Sequence, residues 1–583
     1  MVWGYEFVNL NDDQKHARRR LLELYPAVAE WSVLVVIALF QLSFLLSWLL
    51  KYALEDERPG SPSFSKRVSG SAAWLKNARQ HWARLRWWAR KPVMRNWGSR
   101  GEWIFGSLWA VWLLYLCVVD TGNDYLHLTK RFGIIGASQL PFQYLLAMRA
   151  PYSPVQFLTR MSHEELKKSH EILGRIIYFL FILHGIFYMN FFVQSGFLAK
   201  RIKDKDVIFG IISLTLFIVV NTTAMENVRR WNYRVFYVSH ILIANLIIVP
   251  LYLHVTHIRP YVLQVIVVNT LHAAFRFQRL THYAGTVKLL PGTNLVEIRI
   301  PLNAGEAALK WKPGQHVYLS LPSGKAYSTS AKDQFVLRHQ ANPFTVASVP
   351  SQDRELLLVA RAINGNTKQL AKLAHSLSPG TDEAPNIPLA LEGPYGASTR
   401  LPDFSTFDRI LLVAGGVGAT FIMPIYRSIL DSTDHTLGTQ VRFIWAVRKL
   451  SEAQWASLPS HEDEDADDSE AVSSSHRSVV EVCITRPSGP NLQMGGPGDD
   501  IEMAEDEQLL SLEEQMGKPR KGMAVKEGRP RVSKIVDEVC SKGTRIAVLV
   551  CGPQSLTEEL SRTVESWVQK GSDIYWHEET FGW

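Results

Sequence analysis

The chain has 583 residues, a formal net charge of +8 at pH 7 and 47% hydrophobic residues. That much apolar content, with only 4 Cys, excludes a disordered, collagen-like or disulfide-stapled secreted chain. The averages conceal two unlike halves, because 12 of the 18 Trp precede residue 281.

Residues 31–50 read WSVLVVIALFQLSFLLSWLL, twenty residues without a charge. At a rise of ~1.5 Å per residue this stretch spans ~30 Å, the thickness of a bilayer core. Further apolar runs follow at 103–119, 132–148, 172–193, 207–220, 235–253 and 261–275, seven candidate spans in all. Asp12, Asp13 and Glu23 precede the first run, which is too long for a signal-peptide core, so it is expected to stay as an anchor.

The loop 51–100 carries twelve Lys/Arg against three Asp/Glu. By the positive-inside rule it faces the cytoplasm and residues 1–30 lie outside. The loops holding Arg149, Arg160, Lys167 and Lys168, and Arg229, Arg230 and Arg234, then fall inside. The 199–206 loop, with Lys200, Arg201, Lys203 and Lys205, falls outside against the rule. Trp74, Trp82, Trp87 and Trp88 alternate with Arg and Lys, which reads as a helix on the inner membrane surface rather than a nucleic-acid patch.

His170 and His184 lie in or beside the fourth run, and His240 and His254 in or beside the sixth; each pair is fourteen residues apart. Fourteen helical steps return to within ~40° of one face and rise ~21 Å. Each helix therefore presents two imidazoles on one side at two depths. Facing helices would pair His170 with His240 near the cytoplasm and His184 with His254 nearer the outside. Neutral imidazole is an axial haem ligand, and two stacked bis-histidine haems make a route for single electrons across a bilayer. The absence of a C-x-x-C-H motif favours b-type haem. The bland reading of any one of these histidines is an interhelical hydrogen bond.

After residue 281 the pattern changes to short alternating strands at 296–300, 316–321 and 356–362, bounded by Gly and Pro, as in a small antiparallel barrel. From about 405 strands alternate with helices. Segments 409–414, 441–447 and 545–551 read as buried parallel strands of a doubly wound α/β domain. The turn Gly415-Gly416-Val417-Gly418 falls between a strand and a helix, where backbone N–H groups can approach a pyrophosphate. Around it stand Asn342-Pro343-Phe344-Thr345-Val346-Ala347-Ser348, then Arg361, Gly365 and Thr367, then Gly393-Pro394-Tyr395-Gly396. Arg448, Cys551-Gly552-Pro553, Glu579 and the final Trp583 follow.

Taken in order with the paired histidines, this series resembles the ferric reductase and NADPH oxidase superfamily over about residues 130–583. Within it the chain is most similar to fungal ferric-chelate reductases: the second histidine pair is spaced fourteen rather than thirteen, and the last residue is Trp rather than Phe. The resemblance implies FAD and NADPH as cofactors beside the two haems. It implies that Thr345 hydrogen-bonds the flavin ring, with Asn342 standing where the family usually has a His that binds the flavin pyrophosphate. It implies that Pro313-Gly314-Gln315-His316 lies against the flavin, and that Gly393–Gly396 and Gly415–Gly418 face NADPH. Arg448 falls near the ribose 2′-phosphate, where a guanidinium suits a doubly charged group. Cys551 and Gly552 fall near the nicotinamide, and Trp583 stacks over the flavin as a removable lid.

The expected organisation is an extracytoplasmic segment 1–30, a di-haem transmembrane domain 31–278, an FAD-binding β-barrel 281–400 and an NADPH-binding α/β domain 405–583. The polar segment 459–532, with seven acidic residues between His461 and Glu470, is expected to be a disordered insert. The implied function is a multi-pass membrane reductase, in the plasma membrane with its dehydrogenase half cytosolic. It would pass electrons from NADPH to an external Fe(III) or Cu(II) chelate, with lipid and that chelate as partners and no nucleic acid. The alternatives are a superoxide-generating NADPH oxidase, a haem-free transporter or receptor with a nucleotide-sensing domain, and a catalytically silent relative.

Overall fold

The structure, a computed structural model, describes residues 4–55, 70–94, 98–149, 153–302, 309–322, 337, 341–363, 365–377, 384–396, 401–432, 439–456, 480–485, 522–541 and 544–579. It divides into two compact units, the first built from the chain up to and including Phe277 except Lys76–Arg84, and the second from Gln278 onward together with Lys76–Arg84.

The first unit is helical. In chain order it holds α1 (Asp12–Glu55), α2 (Gly70–Arg90), α3 (Arg100–Val118), α4 (Tyr125–Ser138), α5 (Leu140–Ala147), α6 (Pro154–Thr159) and α7 (His163–Gln194). Then come α8 (Leu198–Arg201), α9 (Lys205–Thr223), α10 (Glu226–Trp231), α11 (Tyr233–Leu246), α12 (Ile248–His254) and α13 (Arg259–Arg279). The start of α7, which carries two of the four histidines, is fixed by a capping box: Ser162 Oγ accepts from Glu165 N at 3.3 Å, and Glu165 Oε2 accepts from Ser162 N at 2.9 Å.

Among the described residues, five stretches are long and apolar enough to cross a membrane: Asp12–Leu49, Arg100–Val118, His163–Gln194, Lys205–Thr223 and Tyr233–His254. On α1 the large side chains Trp31, Leu34, Val35, Leu39 and Trp48 are exposed, as lipid contact requires. Two of the seven expected spans do not meet this measure. The run 132–148 is interrupted at Gln139, where Pro141 opens α5 without an N–H to continue the helix. Its first part, α4, is almost wholly buried. The run 261–275 lies within α13, whose apolar stretch is diluted by Gln264, Asn269 and His272 and flanked by Arg259, Arg276 and Arg279. Helix α1 begins at Asp12, within the segment 1–30, and carries Pro26 inside it.

The second unit opens with β1 (Leu280–Leu289), β2 (Leu295–Pro301), β3 (His316–Ser320), β4 (Asn342–Thr345), β5 (Glu355–Arg361), α14 (Gly365–Leu377) and β6 (Ile387–Tyr395). The strands form an antiparallel sheet in the order β4-β3-β6-β1-β2-β5. Its two end strands meet: Val346 bridges Leu358, and Ala347 N donates to Leu357 O at 2.8 Å. The sheet thereby closes on a core that includes Val287, Ile298, Val317, Phe344 and Leu358.

An α/β layer follows, with β7 (Arg409–Gly415), α15 (Ala419–Ser432), β8 (Gln440–Val447), β9 (Val480–Ile484), β10 (Met523–Glu527), α16 (Val532–Val539), β11 (Arg545–Cys551), α17 (Gln554–Gln569) and β12 (Asp573–Glu579). All neighbouring strands are parallel, in the order β10-β9-β8-β7-β11-β12. Two of them correct the expected insert. Strands β9 and β10 fall inside 459–532, and β9 pairs directly with β8, Phe443 opposite Val480. Each is only five residues long and set in polar sequence, but Val480 and Val482 are fully buried in the core with Phe443 and Trp445. Burial on one face outweighs the composition of the surroundings. The acidic run at 461–470 lies outside the described residues.

Candidate redox site

Within the helical unit the four histidines form two pairs. The ring centres of His170 and His240 are 6.2 Å apart with planes at 69°. Those of His184 and His254 are 6.4 Å apart with planes at 87°. A ring nitrogen lies about 2 Å from a bound first-row metal and about 1.1 Å from its own ring centre, so two imidazoles flanking one metal have centres about 6.2 Å apart. Both pairs match that span. Among the described residues no three His, Cys, Asp or Glu side chains gather around one point. The remaining ligands of a metal here would have to come from a cofactor, as a porphyrin supplies them.

The ring orientations agree with that reading. His170 Nδ1 lies 3.1 Å from Gln143 O, His184 Nδ1 lies 2.8 Å from Thr129 O, and His254 Nδ1 lies 2.6 Å from Asp206 O. A carbonyl only accepts, so each Nδ1 carries the proton and leaves Nε2 as the ligating atom. In His240, Nδ1 is buried with no hydrogen-bond partner among the described residues. Close approach requires glycine at two places. A Cβ on Gly133 would lie 2.6 Å from the His184 ring, and one on Gly210 would lie 2.6 Å from the His254 ring. The residues present therefore fit two bis-histidine haems.

In the second unit several of the expected residues are neighbours. In the β3–β4 pairing His316 stands opposite Thr345 and Val317 opposite Phe344. Val346 N donates to Gln315 O at 2.9 Å, which ties the Pro313–His316 turn to the 342–348 segment. A Cβ on Gly396 would lie 3.0 Å from His316 Nδ1, so Gly393–Gly396 borders the same place. Gly314 has φ +82°, and a Cβ there would lie 3.1 Å from Phe421 at the start of α15. The barrel and the nucleotide sheet thus face each other across this turn.

Arg361, at the end of β5, reaches the glycine turn. A Cβ on Gly416, which has φ +54°, would lie 3.3 Å from its Nη2. That Nη2 donates to Glu452 Oε1 at 2.8 Å, and Glu452 Oε2 accepts from Arg448 N at 3.3 Å. Arg448 itself is exposed. A Cβ on Gly415 would lie 2.5 Å from Pro553 Cδ, so the Gly415–Gly418 and Cys551–Pro553 turns are in contact. Cys551 pairs in register with Glu579. Its thiol is fully buried, and burial, then the Glu579 and Glu578 carboxylates, push its pKa far up. At neutral pH it is a neutral thiol and can pack against a ring but not trade protons. Gly365 and Thr367 open α14 beside the end of β5, where Ile363 N donates to Thr367 Oγ1 at 3.3 Å. Trp583 lies outside the described residues.

Several participants were invisible in the sequence. Thr129, Gln143 and Asp206 act through backbone carbonyls, which any residue could supply. Gly133 and Gly210 carry no motif. Glu452 is a lone carboxylate, and only its 7% exposure marks it.

Three family models match the chain. They are a ferric reductase like transmembrane component over residues 132–251, an FAD-binding domain over 281–399 and a ferric reductase NAD binding domain over 407–565. The "Probable metalloreductase AIM14" of Meyerozyma guilliermondii is 26% identical over 484 residues, covering 80% of this chain and 88% of that protein. Ferric/cupric reductase transmembrane component 2 of Schizosaccharomyces pombe is 25% identical, over 56% of this chain and 62% of its own. Ferric reductase transmembrane component 3 of Saccharomyces cerevisiae is 24% identical, over 76% of this chain and 60% of its own. The chain thus spans less than two thirds of the length of the last two. Phthalate dioxygenase reductase is 12% identical over 52% of this chain and 69% of its own, with a TM-score of 0.30. With a ferric-reductase-like transmembrane component followed by FAD-binding and NAD-binding domains, the chain belongs to the ferric reductase family.

Proposed function

We propose that the protein is a transmembrane ferric-chelate reductase, which draws electrons from cytosolic NADPH and delivers them to an Fe(III) or Cu(II) chelate outside the plasma membrane. The observation that carries this reading is the two histidine pairs with centres 6.2 and 6.4 Å apart, the separation two imidazoles flanking one metal would have. When bound, FAD would convert a two-electron donor into single-electron steps, and two b-type haems would supply carriers at two depths.

His170 and His240 would hold the inner haem, and His184 and His254 the outer one. Thr345 and His316, side by side on β3 and β4, would contact the flavin ring, while Asn342 and Arg361 would take its phosphates. The glycine turn at 415–418 leaves backbone N–H groups open to the coenzyme pyrophosphate, and the exposed Arg448 guanidinium suits a 2′-phosphate. Buried Cys551 would pack near the nicotinamide, and Trp583 would cover the flavin until the nicotinamide replaces it. The basic loop 51–100 orients the chain with this half in the cytosol. The metal named for the relatives from S. pombe and S. cerevisiae favours iron or copper as acceptor over oxygen.

The test is NADPH- and NADH-driven reduction of Fe(III)-EDTA by the purified chain, with superoxide release measured in parallel. Ferric reduction that persists with superoxide dismutase and prefers NADPH supports the proposal. Reduction abolished by the dismutase makes the protein an oxidase.

A further inference from the structure

At the end of the helical unit that holds His184 and His254, three arginines have carboxylate partners. Arg18 of α1 pairs with Asp124 at 2.9 Å, Arg19 with Glu23 at 3.4 Å and Arg201 with Asp204 at 2.7 Å. Arg131 is fully buried and is spent on structure. It donates to Leu116 O at 2.9 Å and Val119 O at 3.2 Å, the carbonyls that end α3, and lies 3.9 Å over the Tyr25 ring.

Lys130 is different. It is half-buried, and among the described residues no carboxylate comes within ion-pair distance of it. The charges it feels are Arg18 and Asp124, and Asp124 is already held by Arg18 and by His127 N at 3.0 Å. It follows Thr129, whose carbonyl holds His184, on the helix whose Gly133 lies against the same ring. His257, three residues after His254, is within electrostatic reach of Lys130 and Arg19. Tyr188 has its ring 4.9 Å from that of His184 and is within electrostatic reach of Arg18 and Arg201.

A half-buried ammonium without a counter-ion is costly, and an anion arriving beside it repays that cost. We propose that Lys130, with His257 and Tyr188, is the docking point for the negatively charged metal chelate at the outer histidine pair. The inference rests on the reductase reading and adds the charge class of its acceptor. Lys130 touches the acceptor and no part of the haem-holding machinery, so its contribution is selection by charge.

The test compares two acceptors in the purified full chain with NADPH: anionic Fe(III)-EDTA and cationic hexaammineruthenium(III). For Lys130→Gln, kcat/KM for Fe(III)-EDTA is expected to fall about five- to tenfold, and that for hexaammineruthenium(III) to rise. Lys130→Arg should restore the anionic acceptor, and added salt should shrink the difference. Equal change for both acceptors would show a structural role, and no change for either would leave Lys130 a partner of lipid phosphate; each result overturns the proposal. A wild-type chain that reduces neither acceptor would overturn the reductase reading itself, and this proposal with it.

Discussion

His184 and His254 face each other with ring centres 6.4 Å apart and planes at 87°, each ring backed by a glycine and each Nδ1 set against a main-chain carbonyl. The pair is aimed from behind, so its geometry depends on small residues as much as on the histidines. A Gly133→Val substitution would put a Cβ 2.6 Å from the His184 ring and drive it off the Thr129 carbonyl. The expected outcome is loss of about half of the bound haem, with the inner pair intact. Haem-to-protein ratio in the purified variant measures it.

In the nucleotide half the equivalent tight point is Gly418. A Cβ there would fall inside 3.0 Å of the Cys551 carbonyl and of its carbon, both main-chain atoms that cannot swing aside. Gly418→Ala should destabilise this unit by about 1–3 kcal/mol and weaken NADPH binding, because the turn at 415–418 and the turn at 551–553 must separate. Thermal unfolding and coenzyme titration test it together.

Asp353 and Arg427 join the barrel to helix α15 through two bonds, 2.8 and 2.9 Å long. The arginine side chain is 7% exposed and the aspartate 18%. Arg427→Met would leave a carboxylate with only Val349 N as partner, at 2.7 Å, and should cost about 3 kcal/mol in denaturant unfolding. Replacing both residues with Leu should recover part of that loss.

The outer strands of the parallel sheet are tied by charge. Burial alone would raise the Glu481 carboxyl, but Arg442 on β8 and Lys526 on β10 outweigh it and hold the group below its ordinary 4.5. A depressed carboxylate contributes stability that is full above its unfolded pKa and is lost as pH falls through the folded value. Below about pH 4.5, amide exchange in β9 and β10 should therefore accelerate before exchange in β11 does. Uniform acceleration across the sheet would contradict this.

The histidine spacing was legible because fourteen residues of helix force two side chains onto one face. The barrel and the α/β layer were legible because their strands are apolar with Gly and Pro at the ends. Strands β9 and β10 were not, since five residues in an acidic and Ser-rich surround carry too little pattern to stand out. Gln139 and Pro141 divide an apolar run into two short helices, which hydropathy alone reads as one span. Glu452 and Lys130 owe their meaning to what lies beside them in space, and a single sequence does not state that.

The proposed role of these four histidines is to hold two haems. It is tested most directly by the optical spectrum of the purified chain before and after NADPH, with haem and flavin quantified. Two low-spin b-type haems and one FAD per chain are expected, with haem reduction on adding NADPH, and loss of one haem in His170→Ala and of the other in His184→Ala. A haem-free chain, or a haem spectrum unchanged when all four histidines are replaced, would contradict it.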